Sequence, residues 1–267
     1  MTDDLVLRFD AGPIVRLVMN QPERRNALSV AMMERLRDAL VAAADDPTTR
    51  VVIISGAGPA FSAGHDLREL ADGTDEEFFR SVFATCVELM DTITNLRVPV
   101  IARVHGVATA AGCQLVAACD LAVAGNTARF ATPGVNIGLF CSTPMVPLTR
   151  AIGRKRSMEM LLTGALITAK KARKWGLVNH VVPDDDLDGE VDTLARTIAA
   201  ASPEVVALGK RAFYDQIDAS DHDAYDRTLP VMSANAAHPD AREGIDAFLA
   251  KRPPVWRADR AHDTGSS

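Results

Sequence analysis

The sequence is short of the residues that mark several common chemistries. Only four cysteines occur in 267 residues, Cys86, Cys113, Cys119 and Cys141. No pair has CxxC spacing, so they read as small buried hydrophobes in a reducing compartment. None of the six histidines falls in an HxxxH or HExxH pattern, and no zinc site is visible. There is no long basic run, and the net charge is −6. Nucleic acid and anionic membrane surfaces are therefore poor partners. No apolar stretch approaches the length of a membrane span. The first four residues are acidic and lack the apolar core of a signal peptide, so the expected location is cytoplasmic.

What is present describes an ordinary soluble protein. Apolar residues make up 48% of the chain and mean hydropathy is near zero, enough for a sizeable core. The length suits one large domain, or one domain with a helical appendage. Runs at 5–9 and 14–19, joined by Asp10-Ala11-Gly12-Pro13, predict a hairpin. Ser29 is a candidate N-cap for a helix carrying Met33, Leu36 and Leu40 on one face. The fully apolar run 51–54 predicts a strand covered on both sides. Thr74 with Glu77 has capping-box spacing, followed by a helix of clear period. Further strands are expected at 99–104, 120–124 and 128–130. From Thr143 on the pattern is helical apart from 177–182, and no solenoid repeat is visible. The fold class is α/β, with a helical C-terminal part.

The stretch 104–120 stands out. A buried strand leads into small residues, Ala108 to Gly112, and then into an apolar helical run. Such a turn leaves backbone N–H groups uncovered at a helix N-terminus, where they attract negative charge. A tightly packed strand-to-helix turn is the plainer reading of the same residues.

Three stretches then agree in order and spacing: Asn20-Gln-Pro-Glu-Arg-Arg-Asn-Ala-Leu-Ser29, Phe61-Ser-Ala-Gly-His-Asp-Leu67, and the small-residue loop through Cys119-Asp120. Together with Leu162-Thr-Gly, the run at 169–183 and the run at 243–252, they resemble the enoyl-CoA hydratase/isomerase (crotonase) family. The resemblance spans roughly residues 5–256. It implies a spiral of ββα turns over residues 1–195 and a helical trimerisation region over 196–256; the polar tail at 257–267 reads as disordered from its composition. The implied ligand is an acyl-CoA thioester, with coenzyme A entering only as part of that substrate and no metal or other cofactor. The implied assembly is a homotrimer or a dimer of trimers. By motif position the backbone N–H groups of His65 and Ala111 would form an oxyanion hole for the thioester oxygen. Coenzyme A would lie along Ala27, Ala63, Asp66 and Leu67, with Arg25 placed for its phosphates. Phe248 and Lys251 resemble residues that reach a neighbouring subunit's nucleotide; Phe248 could equally be a core anchor of the last helix, and Arg24 and Arg25 a solvated loop.

The chain departs from the family where hydration needs it most. Hydratases hold their water between two glutamates, one accepting and one donating a proton. Those positions are Gln114 and Gly134 here. Glutamine has no proton-transfer capacity near neutral pH, and loss of a general acid or base costs about 10²–10⁴ in rate. Leu139, Phe140 and Cys141 follow as expected lining of the acyl pocket. Cys141 reads as a nucleophile or a small core residue, Glu69 as a surface or a pocket carboxylate, and His65 as a titrating group or only an N–H donor. Three readings result: an acyl-CoA lyase or isomerase working through an enolate, for example a malonyl-type decarboxylase; a weak hydratase using Gln114; or a non-catalytic acyl-CoA binder. The loop at Phe61–Asp66 also looks like that of methylmalonyl-CoA decarboxylases, which carry tyrosine where Cys141 stands.

Overall fold

The computed structural model describes residues 4–259. Its strands are β1 (Val6–Ala11), β2 (Ile14–Met19), β3 (Val51–Gly56), β4 (Val100–Val104), β5 (Val107–Thr109), β6 (Leu121–Gly125), β7 (Arg129–Ala131), β8 (Ile167–Thr168) and β9 (His180–Val182). Its helices are α1 (Val30–Asp45), α2 (Leu67–Ala71), α3 (Glu76–Asn95), α4 (Ala111–Ala118), α5 (Met145–Ile152), α6 (Arg154–Thr163), α7 (Ala169–Trp175), α8 (Leu187–Ala199), α9 (Pro203–Gln216), α10 (Asp221–Ala236) and α11 (Pro239–Leu249). Six strands form one sheet in the order β1-β2-β3-β4-β6-β9, and β5-β7-β8 form a second. All pairs in the large sheet are parallel except the β1–β2 hairpin. Successive strands pass from the large sheet to the small one and then into a helix: β4-β5-α4, then β6-β7-α5. This is the ββα spiral that the family resemblance implied.

The large sheet is covered on both faces, as its apolar strands require. In β3, Val52 and Ile54 face the main core under α1, α3 and α4, while Val51 and Ile53 face α8. Leu187, Val191, Ala195 and Ala199 place α8 there at helical spacing, so α8 runs through residue 195 and ends only at Ala199. The C-terminal helices differ in kind. No residue of α9 or α10 is buried. Their main tie to the core is polar: Lys210 Nζ donates to the Ile93 and Val98 carbonyls and to Asp120 Oδ2 at 2.7–2.9 Å, and the Tyr214 hydroxyl donates to Asp120 Oδ1 at 2.8 Å.

Three local expectations need correction. The N-cap of α3 is Asp75, whose carboxylate accepts from Phe78 N, so the start lies one residue past Thr74; a charged acceptor one position on outcompetes the hydroxyl. The stretch Val107–Thr109, read as loop, is a strand of the small sheet pairing with β7. Of the tail read as disordered, residues 257–259 are ordered: they are helical, Arg257 N donates to Asp240 Oδ1 at 3.0 Å, and Asp259 pairs with Arg50. Residues 260–267 lie outside the described residues.

Candidate active site

The site is built from the two loops that leave β3 and β4. Their shapes are fixed by backbone conformations that residues other than glycine rarely adopt. Arg25 and Asn26 both have φ of 51°. Asn26 is fully buried and shares its side-chain N–H groups among the carbonyls of Ala57, Ala60 and Phe61 at 2.8–3.2 Å, while its Oδ1 accepts from Gln21 N. This clamp carries the offset cost of the left-handed pair. The Ser62 hydroxyl continues the chain of bonds, donating to the Asn26 carbonyl and accepting from Gly64 N. Ala63 N donates to the Arg25 carbonyl and Leu28 N to the Gly64 carbonyl, which lays the 20s loop along the 60s loop. The loop after β4 joins the same frame: Thr109 N donates to Ser62 O, and Thr109 Oγ1 to Ala63 O, both at 3.0 Å.

These bonds bring His65 and Ala111 together. A Cβ placed on Gly64 would fall 3.1 Å from Ala111 N and 2.8 Å from the Ala110 Cβ, so the two loops touch there, and Gly64 (φ +91°) is the residue that permits it. Ala110 holds φ 50°, ψ −120°, a glycine-type conformation occupied by alanine. It turns the chain so that Ala111 opens α4. Among the described residues, neither His65 N nor Ala111 N donates a backbone hydrogen bond outside the regular elements, and Ala111 N, at the first position of α4, has no intrahelical acceptor. Two free donors, one at a helix N-terminus, form a place for developing negative charge.

The position expected to carry the second glutamate is packed over. Gly134 is buried, and a Cβ there would lie 2.2 Å from the Leu139 carbonyl oxygen and 2.9 Å from Cys141 Sγ. The Leu139 amide also donates to the Gly134 carbonyl at 2.9 Å, locking that loop down. Leu139 and Phe140 are themselves partly exposed, while Cys141 is 8% exposed. Burial pushes the Cys141 thiol up, against a smaller opposing effect of the Gly134 backbone, and among the described residues no histidine hydrogen-bonds it, so it is not set up as a nucleophile. Gln114 is 3% exposed; the buried Cys86 thiol on α3 donates to its Oε1 at 3.7 Å.

The remaining expected residues fall as follows. His65 places its ring edge against Phe83, with centroids 5.2 Å apart. Both ring nitrogens are buried without a hydrogen bond, and burial lowers the imidazole's proton affinity, weakly opposed by the Leu28 backbone. Asp66 caps α2, accepting from Arg68 N at 3.0 Å, and is also held by Arg24 Nη1 at 2.9 Å. Arg24 is thus committed, while Arg25 is exposed beside buried Ala27 and half-buried Ala63. Leu67 is exposed. Glu69 is neither a free surface group nor a pocket carboxylate: it accepts from Val30 N, capping the start of α1. Phe248 is 83% exposed, which rules out a core anchor; it borders a groove of about 420 Å³ with Ser202, Ile245 and Trp256. Lys251 lies just past α11, also exposed. Glu204, His238 and Asp240 also meet, with one ligand-type atom of each within 4.8 Å of the others. Their atoms serve a helix cap instead: His238 Nδ1 accepts from Asp240 N, His238 Nε2 meets Glu204 at 2.7 Å, and Asp240 accepts from Ser202 Oγ at 2.5 Å.

The sequence model of the enoyl-CoA hydratase/isomerase family matches residues 10–259. The chain belongs to that family. It is 51% identical over 251 residues to a Xenopus laevis protein named enoyl-CoA hydratase domain-containing protein 3, mitochondrial, covering 94% of this chain and 85% of that one. The human protein of the same name is 50% identical over 243 residues, 91% and 80% of the two chains. Among solved structures, an enoyl-CoA hydratase of Mycobacterium smegmatis superposes with a TM-score of 0.93 at 47% identity, over 95% of this chain and 99% of that one. Human enoyl coenzyme A hydratase domain-containing protein 3 gives 0.92 at 48%, over 95% and 100%. Two of these names correct the cytoplasmic expectation, since they are of mitochondrial proteins; the acidic first residues of this chain are no guide to compartment. No described helix is long and apolar enough to cross a membrane.

Residue reasoning passed over Asn26, Ser62, Thr109 and Ala110, which shape the crotonase-type frame without offering reactive groups. Asn26 lies inside the 20–29 motif beside Arg25 and Ala27, and its amide has no reactive group to mark it. Cys86 carried no signal beyond its helical period.

Proposed function

We propose that this family member binds an acyl-CoA thioester and stabilises its enolate between the N–H groups of His65 and Ala111, by a reaction that does not divide water between two carboxylates. One observation supports this reading above all: the two amides are adjacent and free, while position 134 has no room for a side chain. Each preorganised donor of this kind is worth about 2.7–4 kcal/mol to an oxyanion-forming step. Coenzyme A is proposed to lie along Ala27, Ala63, Asp66 and Leu67. Arg25 would face its phosphates, with Phe248 and Lys251 serving a neighbouring copy in a trimer or a dimer of trimers. No cofactor beyond the substrate's own coenzyme A enters the proposal. Chemistry of the right kind includes loss of CO₂ from a malonyl-type thioester. There the C2–carboxylate bond breaks, its electron pair passes to the thioester oxygen, and solvent later protonates C2.

The test is turnover of crotonyl-, butyryl- and malonyl-CoA by purified protein, with binding measured in parallel. The expected result is binding of the thioesters with hydration of crotonyl-CoA at least about 10²-fold below a two-glutamate enzyme. Hydration at the rate of such an enzyme overturns the proposal, as does failure to bind any thioester. Binding without turnover of any ester would leave the non-catalytic binder in its place.

A further inference from the structure

The net charge of −6 hides an uneven distribution. Residues 150–174 hold eight of the 29 lysines and arginines and a single acidic residue, Glu159. Most of them lie on α6 and α7, which pack side by side. Arg156 Nη1 donates to the Trp175 carbonyl at 2.9 Å, and Lys171 Nζ reaches Glu159 at 2.8 Å while covering the Trp175 ring at 4.3 Å. The inner faces are Ser157, Met160 and Leu161 on α6 and Ala169 and Ala172 on α7. The outer faces carry Arg154, Lys155, Arg156, Lys170, Arg173 and Lys174, all exposed. Glu159 is already paired with Lys171, and among the described residues none of these six cations has a carboxylate partner.

Helix stability does not account for this arrangement. Arg154, Lys155 and Arg156 are the first three residues of α6, where the helix dipole disfavours cations. The N-cap is Gly153, which has no side chain to accept from the first turn. On the outer face of α6, Lys155, Met158 and Leu162 follow one another at helical spacing, and Leu166 stands in the turn beyond. Met158, Leu162 and Leu166 are 44%, 58% and 59% exposed. Cations bordering exposed aliphatic side chains match the boundary of a bilayer, apolar inside and charged at the headgroups. Nucleic acid would call for aromatic rings free to stack, and the one aromatic residue here, Trp175, lies under Lys171.

We infer that the α6–α7 face docks on an anionic phospholipid bilayer. The lysines and arginines meet the headgroup phosphates, and Met158, Leu162 and Leu166 enter the edge of the acyl region. Whole-chain charge argued against such a partner; clustering on one face reverses that argument for this surface. The inference is independent of the acyl-CoA reading.

Co-sedimentation of the full chain with vesicles tests it. Phosphatidylcholine vesicles carrying phosphatidylglycerol should bind the protein, plain phosphatidylcholine vesicles should not, and added salt should weaken the binding. Arg154→Glu combined with Lys155→Glu should lower the affinity at least about tenfold. The same variant should keep or raise Tm, since carboxylates suit the first turn of a helix. Met158→Gln combined with Leu162→Gln should weaken binding while its salt dependence stays. No sedimentation with the mixed vesicles at low salt overturns the inference, as does undiminished binding by the charge-reversed variant. A single-stranded RNA oligonucleotide bound more tightly than the vesicles assigns the face to nucleic acid and overturns it too. A changed mass of the charge-reversed variant in light scattering, with no vesicle binding by the parent chain, makes the face an interface between copies and overturns it likewise.

Discussion

The two ends of the proposed site are made in opposite ways. The amide end is held open by backbone: Asn26, Ser62 and Thr109 stitch three loops together, and Ala110 is kept in a conformation that costs about 1–3 kcal/mol. The 134 end is filled by backbone: the Leu139 carbonyl sits where a side chain would begin. On the proposed reading, the amide end is shaped for charge on a thioester oxygen, and the place of a second carboxylate is taken by backbone. Gly134 is therefore more than the absence of a side chain.

The strongest way to break this contrast is to force a carboxylate into the filled end. Gly134→Glu should destabilise the fold by about 3 kcal/mol or more, since a backbone oxygen must move and a charge is buried; urea unfolding reads this directly. Gln114→Glu combined with Gly134→Glu should gain no hydration of crotonyl-CoA. A stable double variant with raised hydration would show that the Leu139 loop yields easily. At the amide end, Gly64→Ala should lower kcat/KM on whichever thioester is turned over by about 10²-fold, because its Cβ presses on Ala110 and Ala111 N. Wild-type turnover in that variant would detach these amides from the chemistry. Ala110→Gly sharpens the comparison in the other direction: relief of strain should raise stability by about 1 kcal/mol, seen as a higher Tm.

The smallest expected effect concerns pH. Burial holds the His65 imidazole below its ordinary pKa of 6.5, and His105 is lowered by burial too. Below that value the unfolded chain binds more protons than the folded one. Stability is therefore full above about pH 6.5 and declines as pH falls toward the folded values. Melting profiles between pH 5 and 8 should show this slope, and His65→Phe should flatten part of it. An unchanged slope would assign the effect to His105 or elsewhere.

Much of the fold could be read from the sequence because burial leaves a periodic trace. The run 51–54 is apolar throughout since β3 is covered on both faces, and Met33, Leu36 and Leu40 recur at helical spacing since α1 lies on the core. The strand Val107–Thr109 was hidden because three small residues carry little pattern of their own and its partners, β7 and the short β8, are distant in sequence. For the candidate site, motif order singled out His65, Ala111, Gln114 and Gly134. What those positions do spatially depends on contacts across the fold: Glu69 turned back to α1, Cys86 reaching Gln114, and Leu139 folding onto Gly134. Such long-range pairings have no local signature.

The Leu139 carbonyl over Gly134 has a bearing on mutational history. From this structure, a glutamate at 134 is tolerated only after the loop that follows has already moved, while a change at 114 needs no such preparation. The order of substitutions is therefore constrained. Directed evolution toward a carboxylate at both positions could therefore introduce one at 114 at any stage, whereas one at 134 would follow changes at residues 139–141.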